Sequence, residues 1–213
     1  MSVRSVSLVL AVLAFLLPAS AARGDVILSN LPGNPSVTGT NLGLGSDAAH
    51  RKKAVGLTTG DEPLAFESML VWMDNSDPVS RSLIGGIYSD GSDAPNLELA
   101  SFTPVPVPAG SDNLPVTLTI DGGFTLEANT KYWFLLDGPS VTNTLLWAML
   151  SPDTAPTATG VTWDGYRFSS NGGASWVSSQ SFNTVTIRAS AIPEPAAGLA
   201  VLAGASLLVR RRS

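Results

Sequence analysis

Cysteine is absent from the chain, histidine occurs once, and Asp, Glu, Lys and Arg together make up only 14% of it. Without cysteine there is no disulfide, no thiolate nucleophile and no Cys-based metal site. The one histidine, His50, stands beside Arg51-Lys52-Lys53 in a polar stretch. A Ser-His-acid site would have to be assembled around it by the fold alone, because no G-x-S-x-G elbow occurs. H-E-x-x-H, a phosphate-cradling glycine loop and a dinucleotide fingerprint are also missing. Gly43-Leu44-Gly45 lacks a third glycine and reads as merely flexible. These absences point away from an enzyme.

Long apolar runs are confined to the two ends. Near the start, Arg4 gives a basic flank, Val6 to Leu17 is apolar or small apart from Ser7, and Pro18 breaks the run. Ser20-Ala21-Ala22 then offers the small residues that signal peptidase requires. This pattern predicts a signal peptide over residues 1–22, cut after Ala22, with Ala21 as the alternative. An uncleaved anchor is the competing reading. No cysteine follows, which excludes a lipoprotein.

At the other end, Pro193-Glu194-Pro195 precedes an apolar run from Ala196 to Val209, and Arg210-Arg211-Arg212 follow it. Lys and Arg mark the cytoplasmic flank of an apolar segment, so these arginines would hold the C-terminus inside and place the rest outside. The run is roughly 21 Å long at about 1.5 Å per residue, short of the ~20 residues of a comfortable span. It crosses only by recruiting Ile192 and letting the arginines snorkel. The order of motif, helix and basic cluster over residues 191–213 resembles the PEP-CTERM sorting signal of Gram-negative bacteria. That resemblance implies recognition by an exosortase-type membrane protease. It also implies delivery through the inner membrane to the cell surface, outer membrane or extracellular matrix, and an association with exopolysaccharide and biofilm.

Residues 23–190, 168 in all, remain for an exported domain, enough for one real core. Of the 12 basic residues of the chain eight fall in this segment, and of the 17 acidic ones 16 do, giving a net charge of −8. Nucleic acid and anionic lipid both need a basic surface, so neither is an expected partner.

Between the terminal signals the pattern is β throughout. Val116-Thr-Leu-Thr-Ile120 and Asn183-Thr-Val-Thr-Ile-Arg188 alternate, with threonine outward and aliphatics inward. Further strands are predicted at residues 54–59, 64–73, 82–88, 97–103, 131–136, 145–150 and 160–168. Asp90-Gly91, Asp121-Gly122-Gly123, Asp137-Gly138-Pro139, Asp164-Gly165 and Asn171-Gly172-Gly173 punctuate them as turns. About ten short strands at this spacing predict an antiparallel, jelly-roll-like β-sandwich. Pro104-Val-Pro-Val-Pro108 cannot pair as an interior strand and reads as an exposed edge or crossing loop.

Arg51-Lys-Lys-Ala-Val-Gly-Leu-Thr-Thr-Gly60, Leu83-Ile-Gly-Gly-Ile-Tyr88, Leu126-Glu-Ala-Asn-Thr-Lys-Tyr-Trp-Phe-Leu-Leu136 and Ser175-Trp176 are spread over residues 36–190. Together they resemble the choice-of-anchor R domain, a family of exported bacterial domains carrying various surface-anchoring signals. The resemblance implies a β-sandwich and transfers no catalytic residue.

Three ligand readings remain. Asp74-Asn75-Ser76-Asp77 and Asp90-Gly91-Ser92-Asp93 carry hard oxygens suited to Ca²⁺, though neither has the closing glutamate of an EF-hand and the same residues make ordinary β-turns. Glu62 and Glu67 could be set against each other as glycosidase carboxylates, at a separation the sequence does not give. Of the five tryptophans, Trp72, Trp133 and Trp147 sit in apolar strands and are expected in the core. Trp163 and Trp176 lie near turns, beside Asp164, Tyr166, Arg167 and Asn171, where an exposed ring could stack on a sugar. The reading expected is therefore a non-enzymatic exported surface or matrix protein without a cofactor. The alternative is a carbohydrate-binding module that takes matrix polysaccharide at Trp163, Asp164, Tyr166 and Trp176.

Overall fold

A computed structural model of the chain describes residues 24–31, 33 and 35–192. In chain order the strands are β1 (Asp25–Ser29), β2 (Pro35–Asn41), β3 (Gly43–Leu44), β4 (His50–Thr59), β5 (Leu64–Asn75), β6 (Arg81–Asp90), β7 (Pro95–Ser101) and β8 (Val105–Val107). They continue as β9 (Ser111–Leu118), β10 (Phe124–Leu126), β11 (Lys131–Asp137), β12 (Leu145–Leu150), β13 (Thr157–Ala158), β14 (Val161–Ser169), β15 (Val177–Ser179) and β16 (Thr186–Ala191).

Two antiparallel sheets pack face to face as a β-sandwich. The first runs β13-β1-β16-β5-β12-β2, with β9 and β10 also on β5; the second runs β15-β14-β4-β11-β6-β7, with β3 on β4 and β8 on β6. One continuous core lies between them. Val55 and Leu57 of β4, Phe134 and Leu136 of β11, and Leu83 and Ile87 of β6 meet Met69, Val71 and Met73 of β5 and Ile187 of β16. These residues recur at every second position, the period that sends alternate side chains to one face of a strand.

Each predicted strand is present, with its ends shifted by a few residues. The additional ones, such as β3, β10, β13 and β15, are two or three residues long. Segments that short carry no periodicity to read. β2 gave little signal, because Pro35-Ser-Val-Thr-Gly-Thr-Asn41 alternates polar residues with only one aliphatic side chain, Val37, and with Pro35 and Gly39, which are weak strand formers. Within Pro104–Pro108, Val105–Val107 forms β8 against β6, with Val107 fully buried, so this stretch is an edge strand that contributes to the core.

β4 ends at Thr59 and β5 begins at Leu64, which puts those two residues at one end of the sandwich. Ala191 of β16 pairs with Leu64, and Asp25 of β1 pairs with Ala189. The described chain therefore enters and leaves at that same end. Glu67 fastens the entry by accepting the Gly24 amide at 2.7 Å. His50, Lys52 and Asp137 stand at the opposite end.

Candidate functional site

The outer face of the second sheet departs from the usual rule that one face of a strand is apolar and the other polar. β11 alternates Lys131, Trp133, Leu135 and Asp137 outward with Tyr132, Phe134 and Leu136 inward, so it is apolar on both faces. Registered pairs place three rows across that outer face. Glu98, Tyr88, Trp133 and Gly56 form one row; Ser101, Gly86, Leu135, Ala54 and Arg167 form the next; Ile84, Asp137 and Lys52 form the third.

The middle row is low because Gly86 has no side chain and Ala54 has one methyl group. A trough results, with Leu135 as its floor. Its first wall is the aromatic row. Trp133 is completely buried there, with its ring against Gly56, its Nε1 donating to Asp90 at 2.8 Å, and the Lys131 ammonium and Arg167 guanidinium at 5.0 and 5.2 Å from the ring centre. The second wall is charged. Asp137 accepts from His50 Nε2 at 2.7 Å and from the Gly138 amide at 2.7 Å, and its other oxygen lies 3.0 Å from Lys52 Nζ. Across the trough, the Tyr88 hydroxyl donates to Glu98 at 2.9 Å. Burial, and then the Glu98 carboxylate, push that phenol well above its ordinary pKa. Trp176, from the turn after β14, packs half-buried over Ala54, Trp133 and Leu135. Two adjoining clefts of about 370 and 150 Å³, which share Lys52, Tyr88 and Leu135 in their linings, form the groove on this face.

The four aromatic and acidic residues expected to form one ligand surface are divided between the faces of this sheet. Asp164 and Gly165 form a bulge in β14, with Gly165 at φ 84°, so that Trp163 and Tyr166 pair with Leu57 and Val55 and both point inward. Tyr166 is buried, its hydroxyl donating to the Asn183 carbonyl at 2.7 Å, and Trp163 meets Tyr166 and Phe182 edge-on. Asp164 accepts from Thr58 at 2.7 Å, and Thr58 is an outward residue of β4. Only Trp176 reaches the groove. Of the tryptophans expected in the core, Trp147 lies between the sheets, Trp133 is buried on the outer face, and Trp72 is half-buried outside both clusters.

The acidic turns are occupied by the protein's own donors except at Asp74 Oδ2, which is buried without a hydrogen-bond partner. Asp93 binds Lys131 and Arg167, and the Lys131 bond chiefly holds its carboxyl below the ordinary value. Asp77 accepts from Arg81 at 2.6 Å, Asp74 accepts the Asn113 amide, and Asn75 donates to the carbonyls of Val79, Val107 and Pro108. Among the described residues no group of three or more His, Asp or Glu side chains is placed to hold a metal ion. His50 is spent on Asp137, and no serine hydroxyl among the described residues bonds to it.

Ala22, Pro193, Glu194, Pro195, Arg210, Arg211 and Arg212, expected to direct processing and sorting, lie outside the described residues. So does the apolar run 196–209; among the described residues no helix is long and apolar enough to cross a membrane. No protein-family model matches the chain, and no curated protein matches it.

Proposed function

We propose that the chain is an exported, non-enzymatic cell-surface or matrix protein, a jelly-roll-like sandwich carried between a signal peptide and a membrane-spanning sorting tail. Signal peptidase removes residues 1–22, and an exosortase-type membrane protease reads Pro193-Glu194-Pro195. What supports this reading beyond the two sequence signals is the pairing of β1 with β16. It brings the start and end of the domain to one end of the sandwich, whereas Lys52 and Asp137 of the outer-face groove stand at the other. Delivery to an exopolysaccharide matrix follows from the resemblance of the tail.

Two prolines fix φ and remove two backbone donors, so an extended stretch between domain and membrane helix is what a protease would meet. Replacing Pro193, Glu194 and Pro195 by alanine lets helix propagate backward from Ala196, since alanine has the highest helix propensity. The triple variant should accumulate in the inner membrane with its tail intact. Trimming and export like the parent chain would defeat the sorting argument.

A further inference from the structure

We propose that the groove on the outer face of the second sheet binds a neutral polysaccharide, with a sugar ring stacked against Trp176. The proposal stands on the groove alone and does not depend on how the chain is sorted.

Sugar rings present an apolar C–H face and a rim of hydroxyls, so a site for them needs an aromatic surface beside fixed acceptors and donors. The groove supplies both. Trp176 and Tyr88 flank the Leu135 floor, and Trp176 keeps part of its ring in solvent although it packs on an apolar cluster. The polar groups around them are held in place before any ligand arrives. Asp137 is fixed by His50, Lys52 and the Gly138 amide, and the exposed Glu98 carboxylate is held by Tyr88 and Ser101. Such preorganisation lowers the cost of ordering the site on binding.

The groove is also extended, its lining running from Ile84 and Phe102 on one side to Gly172 and Gly173 on the other. That shape suits a stretch within a chain better than a small molecule that must be enclosed on most sides. Charge selects among chains. Lys52 is the only cation lining the groove, and Asp137 already neutralises it, while Glu98 adds a negative charge. Residues 23–190 carry a net −8. A polyanion would be repelled over its whole length, so the fitting ligand is uncharged.

Affinity electrophoresis of the full chain, kept in a detergent without a sugar headgroup, tests this directly. The gels would contain a neutral glucan, mannan or galactan, or the acidic polymers alginate and polygalacturonate. At least one neutral polymer should retard the protein and the acidic ones should not. Trp176→Ala should weaken the retardation by about tenfold, the loss expected for one aromatic stack. Trp176→Phe keeps a ring and should retain most of the binding, which separates stacking from a structural role. Trp163→Phe, altered on the inward face, should bind like the parent. No retardation in any neutral gel, retardation by acidic polymers alone, or undiminished retardation of Trp176→Ala would each overturn the proposal.

Discussion

Replacing Lys53 by methionine should remove a rise in stability with pH that the parent domain shows between about pH 7 and pH 9.5. Lys53 is an inward residue of β4 with no exposed surface. Its ammonium has no ion-pair partner among the described residues; Nζ donates to Thr40 Oγ1, the Ser181 carbonyl and Ser181 Oγ at 3.2, 2.9 and 3.0 Å, and lies 5.1 Å from the centre of the Tyr166 ring. Burial lowers its pKa from 10.5 to about 7, against a weaker opposing pull from Asp153. Over that interval the unfolded chain holds a proton that the folded one has lost, so stability climbs with pH; below about 7 both states carry it and the penalty is constant. The slope approaches about 1.4 kcal/mol per pH unit, which amounts to about 3 kcal/mol between pH 7 and pH 9.5. Burial raises the pKa of Tyr88, Tyr132 and Tyr166, which reverses the trend only where unfolded tyrosines ionise, near 10. Methionine fills a similar volume, and two of the three acceptors keep other partners: Thr40 bonds to Asn183 and Ser181 Oγ to Ser179. Urea unfolding of residues 24–192, followed by tryptophan fluorescence at several pH values, gives both curves. Parallel profiles for parent and Lys53→Met would refute the reasoning.

Residues 23–190 expressed alone should be a soluble monomer with β-type circular dichroism that is indifferent to reducing agent; a helical spectrum would contradict the fold. Adding a chelator should leave its melting temperature unchanged, because Lys131, Arg167 and Arg81 already occupy Asp93 and Asp77; a fall on chelation would restore the calcium reading. Gly56→Ala puts a methyl group 2.6 Å from the Trp133 ring and should cost about 1–3 kcal/mol in denaturant unfolding. Tyr166→Phe removes one of the two donors to the buried Asn183 carbonyl, which keeps Asn30, and should cost about 0.5–1.5 kcal/mol in the same assay.

Strands that alternate strongly were legible from residue types alone. In β9, Val116 and Leu118 point inward while Thr117 and Thr119 are exposed, as the alternation predicts. Beside and within β16, Val185 and Ile187 are buried as expected, but so are Thr184 and Thr186, whose hydroxyls bond to the Trp72 amide and to Ser29 in place of water. The groove was not legible, because it arises from register. Gly86, Leu135 and Ala54 are far apart in sequence, and nothing local says that they will be side by side. A partial signal was present in Lys131-Tyr-Trp-Phe-Leu-Leu-Asp137, whose apolar residues fall on both faces and so require a cover on each. Gly85-Gly86 within β6 was another, since glycine inside a strand marks missing bulk or a close approach. Proximity to turns was the misleading cue for Trp163. The bulge at Asp164-Gly165 turns Trp163 and Tyr166 inward together, and strict alternation would have set them on opposite faces.

Intact mass of the protein recovered from the cell surface or matrix, with and without the sorting protease, tests export and processing most directly. With the protease present, the mature chain should begin at Arg23 or within one residue of it and should lack the apolar run and the arginines that follow Pro195. Without it, the N-terminus should be the same, the tail intact, and the protein held in the inner membrane. A single full-length mass that still includes Met1 to Leu17, or identical masses and locations in both backgrounds, would contradict the account.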